Sequence, residues 1–278
     1  MNSDETTSPG LDVRAVFGYA SDRGLRRDQN EDSLIAADPV FAVADGMGGH
    51  EAGEVASSIC VRTLGEAPFI GEHLPAVGAS DLQLLLREAD AGIREATGGR
   101  AGTTVTGAVL VRDDAGRPCW LVFNVGDSRT YRLTGGVLEQ ITVDHSEVQE
   151  LVDMGQITPD EALIHPRRHV VTRALGTGSD TEADYWLVPV EPGDRLLVCS
   201  DGLTGEVSDA QLQQILSSVT NPQDACASML EAALRSGGRD NITVLVIDVE
   251  GSLERSVPAA AALPGAADPQ PAAGNTDS

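Results

Sequence analysis

The chain has 278 residues, 41% of them hydrophobic and 22% charged, an ordinary globular composition with ample length for a real core. Its formal charge of −24 repels DNA, RNA and anionic lipid, which argues against a nucleic-acid role. No run of about 18 apolar residues is present and no basic-then-apolar leader opens the chain, so the expectation is a cytoplasmic protein without a membrane span.

Residues 1–10 are polar, and from about Gly251 the chain becomes Ala/Pro-rich. Residues 1–10 and 251–278 are expected to be disordered, because they offer too little apolar surface to offset the entropy of ordering. A folded unit over 11–250 remains. It opens with apolar, β-rich runs at 12–20, 33–37 and 40–44, followed by helical spacing at about 51–64 and 81–96. Strand-like runs return at 103–111, 119–125 and 130–134. A polar segment with a helix over 145–154 comes next, then strands at 187–190 and 195–199. Helices over 208–218, capped by Ser208 and Asp209, and over 223–235, ended by Gly237-Gly238, precede a last strand at 242–249. Regular β-α-β alternation is missing. Clustered strands with grouped helices predict an α+β fold, two sheets packed together with helices outside. Cys60, Cys119, Cys199 and Cys226 form no Cys-x-x-Cys pair and read as small buried hydrophobes in a reducing compartment.

The informative feature is where certain aspartates fall. Asp45 follows the run VFAVA, Asp127 follows LVFNVG and Asp201 follows LLVCS; Asp240 precedes ITVLVIDV and Asp32 precedes the strand at 33–37. One aspartate at a strand end commonly just caps a turn. Five at the ends of separate apolar strands converge if those ends meet, and their repulsion then calls for cations. Carboxylate and carbonyl oxygens without thiolate or imidazole suit Mg²⁺ or Mn²⁺. Two such ions can share a hydroxide and use it in an in-line displacement. Gly46 lets its backbone carbonyl approach an ion closely. Other motifs fail: Gly46-Met47-Gly48-Gly49 lacks the ending of a P-loop, and His50-Glu51 has Glu54 where a zincin needs histidine. No Gly-x-Ser-x-Gly elbow is present, and no cysteine has an arginine six residues on.

Six ordered blocks resemble the metal-dependent protein phosphatases, the PPM or type 2C serine/threonine family. They are Arg27-Asp28-Gln29-Asn30-Glu31-Asp32, Val43-Ala44-Asp45-Gly46-Met47-Gly48-Gly49-His50, Gly102-Thr103-Thr104, Val125-Gly126-Asp127-Ser128-Arg129, Ser200-Asp201-Gly202 and Arg239-Asp240-Asn241-Ile242-Thr243. The resemblance implies a central β-sandwich of two antiparallel sheets flanked by helices (α-β-β-α), with a binuclear Mn²⁺ or Mg²⁺ centre at one end. Asp45 would bridge both ions, and the Gly46 carbonyl, Asp201 and Asp240 would complete the shells. Asp32 would act mostly through water, and Asp127 with Asp201 would match a third, weaker site. Arg27 would hold the substrate phosphate as a bidentate fork. The activity implied is hydrolysis of phosphoserine and phosphothreonine by a hydroxide bridging the ions, with no covalent enzyme intermediate. An inactive phosphoprotein-binding regulator and a phosphatase of small phosphomonoesters are the alternatives; inactive members usually lose ligands that are all present here.

Residues 144–178 match a flap beside the active site of bacterial members. Arg167, Arg168 and Arg173 make a basic patch there, either solvated or a clamp for phosphopeptide. Two positions depart from the family pattern. Met47 stands where animal and plant members carry a histidine assigned as general acid, which leaves His50 as a candidate near the substrate. His169 stands where bacterial relatives often have asparagine. The expected partners are phosphorylated proteins, including a serine/threonine kinase and its substrates, with no nucleic acid and no membrane, and the expected state is a monomer.

Overall fold

The computed structural model describes residues 13–49, 52–178, 182–191 and 193–251. The chain runs through β1 (Arg14–Asp22), β2 (Asp32–Ala37) and β3 (Val40–Gly48), then α1 (Ala52–Gly65) and α2 (Ala79–Thr97). A block of strands follows: β4 (Ala101–Thr103), β5 (Val105–Arg112), β6 (Pro118–Val125), β7 (Arg129–Thr134) and β8 (Val137–Gln140). Two short helices, α3 (Glu147–Asp153) and α4 (Pro159–Leu163), lie in the polar segment 144–178. Then come β9 (Asp184–Pro189), β10 (Arg195–Cys199), α5 (Asp201–Thr204), α6 (Asp209–Ser218), α7 (Pro222–Ser236) and β11 (Ile242–Glu250).

The strands form two antiparallel sheets, β1-β11-β10-β7-β8 and β2-β3-β5-β6-β9, with β4 added to β3. β5 and β6 are buried almost throughout, which is why they read as unbroken apolar runs: one face meets the other sheet and the other face meets helices. The inter-sheet core joins Phe41, Trp120, Val122, Leu196, Val198 and Leu245. A second core packs α1 and α2 through Cys60, Leu82, Leu86 and Ile93 against the β3-β5-β6 face. A third seats α6 and α7 through Leu212, Leu216 and Met229 on Leu197 and Val244 of the other sheet. The layers are therefore helix, sheet, sheet, helix. Burying each large apolar side chain contributes about 1.5–3 kcal/mol before entropy is subtracted. All four cysteines are free and buried. No helix among the described residues is long and apolar enough to cross a membrane.

Helix ends follow local chemistry. Ser208 caps α6 through a reciprocal box with Gln211, Asn221 accepts the Gln223 and Asp224 amides at the start of α7, and Gly237 follows its last turn. Some boundaries differ from the pattern. The run 103–111 breaks at Thr104, whose amide turns away to donate to the Asp45 carbonyl at 2.9 Å. β3 continues past Asp45 because Gly46, Met47 and Gly48 pair with Thr103, Gly102 and Ala101. Asp45 is thus inside a strand, not at its end. β9 starts at Asp184 rather than 187, since an edge strand half-open to solvent tolerates polar residues. β8, α4 and α5 are too short and polar to show in apolar periodicity. The expected disorder at 1–10 and 251–278 lies, except for Gly251, outside the described residues.

Candidate metal centre

One end of the sandwich collects the aspartates. Asp32, the first residue of β2, is in register with Asp45 of β3. Directly opposed residues of an antiparallel pair share a face with Cβ atoms about 4.5–5.5 Å apart, where like charges destabilise. Asp201 opens α5 immediately after β10, Asp240 stands just before β11, and Asp127 follows β6. Two glycines make the approach possible. A Cβ on Gly46 would overlap the carbonyl oxygens of Gly53 and Glu31, so only glycine lets α1 start against this strand. Gly126 has φ +109 and packs on Thr104, a backbone state that turns the chain sharply before Asp127.

Electrostatics confirms the convergence. Burial pushes Asp45 well above the usual carboxylate range, and Asp32, Asp201, Asp127 and Asp240 raise it further. Asp32 is pushed up to about 7, first by burial and then by Asp201 and Asp240, with the neighbouring Thr243 and Ser200 side chains opposing. Asp127 is pushed up to about 8 by burial, with Asp201 and Asp144 adding. The Ser200 hydroxyl donates to Asp32 Oδ2 at 2.9 Å, while the buried Oδ1 has no hydrogen-bond partner. A cation, or water held by one, would supply what that oxygen lacks. Among the described residues no three acidic, histidine or cysteine side chains are already closed around one point. Carboxylate oxygens are the donor type that suits Mg²⁺ or Mn²⁺ with retained waters and not a zinc cage. The donor set fits the expected ions.

The surrounding loops are held by residues that strand pattern alone does not single out. Asn241, inside the last motif block, accepts the Glu31 amide at 2.8 Å and donates to the carbonyls of Arg23 and Gln29 at 2.9 and 2.8 Å. It fastens the loop carrying Arg27 to the start of β11. Glu206 accepts the Arg239 amide and both arms of its guanidinium at 2.8–3.0 Å, fixing the backbone beside Asp240. Arg27 reaches the cluster, with Nη2 2.7 Å from Asp240 Oδ2 and half its side chain still exposed. Its pKa is raised, chiefly by that hydrogen bond.

Residues 144–178 come near the cluster at His169, whose Nδ1 lies 3.8 Å from Asp201 Oδ2. The basic patch is largely neutralised. Arg167 pairs with Glu147, and Arg173 with Asp184 at 3.2 Å, while Arg168 donates to the His165 carbonyl and has no carboxylate partner among the described residues. His50 lies outside the described residues.

The raised carboxylates have a consequence for stability. A folded-state pKa above the unfolded value means that the native metal-free state binds protons more tightly, so stability falls as pH rises from about 4 to 8. Carboxylates held low, such as Glu206, lose their contribution only below about pH 4.5. Metal-free protein is therefore expected to melt higher at pH 5.5 than at pH 8. The gap should be at least the roughly 2–4 °C that 1 kcal/mol is worth in a domain of this size. Scanning calorimetry in EDTA checks this, and saturating Mn²⁺ should flatten the slope because ions bind the deprotonated form. An EDTA profile rising from pH 5.5 to 8 refutes it.

The chain is thus a helix-sheet-sheet-helix sandwich with an oxygen-only carboxylate cluster at one end. Residues 25–236 match the family described as protein phosphatase 2C, and the chain belongs to that family. It is 42% identical over 251 residues to the serine/threonine protein phosphatase PstP of Mycobacterium tuberculosis, covering 85% of this chain and 46% of PstP, so it spans about half of that relative. It is 36% identical over 244 residues to the serine/threonine phosphatase Stp of Listeria monocytogenes, covering 83% of this chain and 94% of Stp. The catalytic domain of PstP, solved in complex with two manganese ions, superposes with a TM-score of 0.76 at 37% identity, covering 85% of this chain and 99% of that one.

Proposed function

We propose that this protein hydrolyses phosphoserine and phosphothreonine in other proteins by direct attack of water on phosphorus, with no covalent enzyme intermediate. The observation that carries the reading is the set of five aspartates facing one region, two of them opposed in register, beside an arginine with a free face. The cysteines offer no alternative nucleophile: all four are buried, and burial pushes the Cys60 thiol up to about 12. A bound pair of Mn²⁺ or Mg²⁺ ions would supply Lewis acidity and a nucleophile at neutral pH from water. Asp45, the Gly46 carbonyl, Asp201, Asp240 and, through water, Asp32 would hold that pair. Asp127 with Asp201 would hold a weaker third ion.

Arg27 would turn its guanidinium from Asp240 to two phosphate oxygens and orient phosphorus for in-line attack. Arg168 and Arg167 would meet the peptide around the phosphorylated residue, Arg167 after release from Glu147. Met47 cannot donate a proton to the departing alkoxide, so that role passes to His50 or to solvent. The name of PstP, a serine/threonine protein phosphatase, supports protein substrates, and the reading extends to a serine/threonine kinase and its substrates. The reading extends to a monomer acting in the cytoplasm.

The test is hydrolysis of a phosphothreonine peptide in ¹⁸O-water. One ¹⁸O atom per released phosphate is expected, with no phosphoprotein trapped on acid quench; a phosphorylated enzyme would sink the reading. Arg27→Ala should lower kcat/KM about 10–150-fold, the worth of a charge-assisted hydrogen bond of roughly 1.5–3 kcal/mol, chiefly through KM. Arg26→Ala is the control. Arg23 is unsuitable, because its guanidinium props the backbone at Arg27 and Asp28.

A further inference from the structure

His145 is 6% exposed and joins three parts of the molecule that the chemistry needs in register. Its backbone amide donates to the Gly126 carbonyl at 2.9 Å, and its own carbonyl accepts the Thr172 amide at 2.8 Å. Its ring Nδ1 accepts the Gly126 amide at 3.1 Å, and Nε2 lies 3.1 Å from Asp184 Oδ2. An amide can only donate, so Nδ1 carries no proton and Nε2–H donates to Asp184. Arg173 Nη1, 3.3 Å from Nε2, also has only hydrogens to give and bonds Asp184 Oδ1 at 3.2 Å instead. Burial lowers the imidazole pKa, which favours this neutral tautomer. The ring thus bridges the turn that aims Asp127 to a carboxylate on β9 that also anchors the returning limb of the flap. Ser146 and Val171, which follow and precede the residues named, close the flap neck with a β-bridge.

We infer that His145 is a positioning residue that couples the flap to Asp127, so that the flap base and the Gly126-Asp127 turn hold or shift as one unit. This rests on Asp127 being a metal ligand. The coupling runs through hydrogen bonds to the backbone of the residue before the ligand, one step further out than partners that bond a ligating carboxylate directly. Loss of such a partner typically costs about 10–100-fold in metal affinity or activity.

The experiment compares wild type with His145→Leu, His145→Asn, Asp184→Ala and Asp127→Ala. It measures Mn²⁺ binding by titration calorimetry and amide exchange at Gly126 in the metal-free protein. His145→Leu removes both ring bonds at similar volume and should weaken the weakest Mn²⁺ step about 10–100-fold, with faster exchange at Gly126. His145→Asn, whose Oδ1 falls near the position of Nδ1 but which has no atom to reach Asp184, should restore exchange at Gly126 to within about threefold of wild type while leaving the Mn²⁺ step as weak as in Asp184→Ala. Asp184 is not among the proposed ligands, yet Asp184→Ala should loosen the flap amides over 147–171 and weaken the same Mn²⁺ step. If Asp127→Ala binds Mn²⁺ and turns over like wild type, the ligand assignment itself falls. If Asp127→Ala loses that step while His145→Leu and Asp184→Ala keep it, the coupling is overturned. Should His145→Leu fail to fold, Asp184→Ala decides alone, and unchanged Mn²⁺ affinity there overturns the inference.

Discussion

Exhaustive chelation with EDTA is expected to reduce phosphatase activity on the order of 10³-fold or more, and added Mn²⁺ or Mg²⁺ to restore it. Without cations the site presents five aspartates and one arginine to a phosphate dianion, and Asp45, Asp32 and Asp127 are raised first by burial and then by the charge of neighbouring carboxylates. The substrate is therefore rejected, and water has nothing to lower its pKa. Lewis-acid stabilisation is worth several kcal/mol, at about 1.4 kcal/mol per decade of rate. The same ions should stabilise the fold, by about 2.7 kcal/mol at a hundredfold excess over Kd, or roughly 5–10 °C in melting temperature. Phosphate release from a phosphothreonine peptide and calorimetry on the same samples measure both. Activity that survives chelation, with no metal left by elemental analysis, would remove the metal centre from the mechanism.

Asp45→Asn should be nearly as severe, with a loss of turnover on the order of 10³-fold, because this carboxylate faces all four of the others and is the one assigned to both ions. The fold has no need of its charge. The Asp45 amide donates to the Thr104 hydroxyl at 3.2 Å, and its carbonyl accepts from the Thr104 amide and the Thr103 hydroxyl at 2.9 Å. Asparagine keeps the volume and removes the repulsion, so metal-free Asp45→Asn should melt at or above wild type at pH 8, and its melting temperature should vary less with pH. Asp240→Ala should lose turnover comparably but reads two effects, since it also frees Arg27 from its ion pair. A variant of Asp45 that unfolds in EDTA would make this residue a structural cap, and one that retains both Mn²⁺ and turnover would remove it from the ligand set.

Much of this molecule is legible along the chain. Strand β10 falls on the apolar run at 195–199, Ser208 and Gly237 mark helix ends, and the aspartates stand out because charge interrupts runs that are otherwise buried. Those are local signals, set by side-chain period, capping and the cost of burying charge within a few residues. The aspartate pattern also carried the metal preference, since oxygen-only donors select hard ions whatever the fold.

Tertiary structure decided what depends on groups distant in sequence. Asp45 is mid-strand because β4, more than fifty residues on, pairs with Gly46–Gly48. Arg27 is tied to Asp240 and Arg167 to Glu147, and Asn241 clamps the loop before Asp32, contacts that no periodicity encodes. The role of His145 is of the same kind: in sequence it is a polar residue at the edge of a flap, and only the approach of Gly126 and β9 shows which nitrogen carries its proton and what it holds. A pattern reports each residue's preference for burial, whereas a hydrogen bond needs two partners placed within about 3 Å, and that placement belongs to the packed sheets.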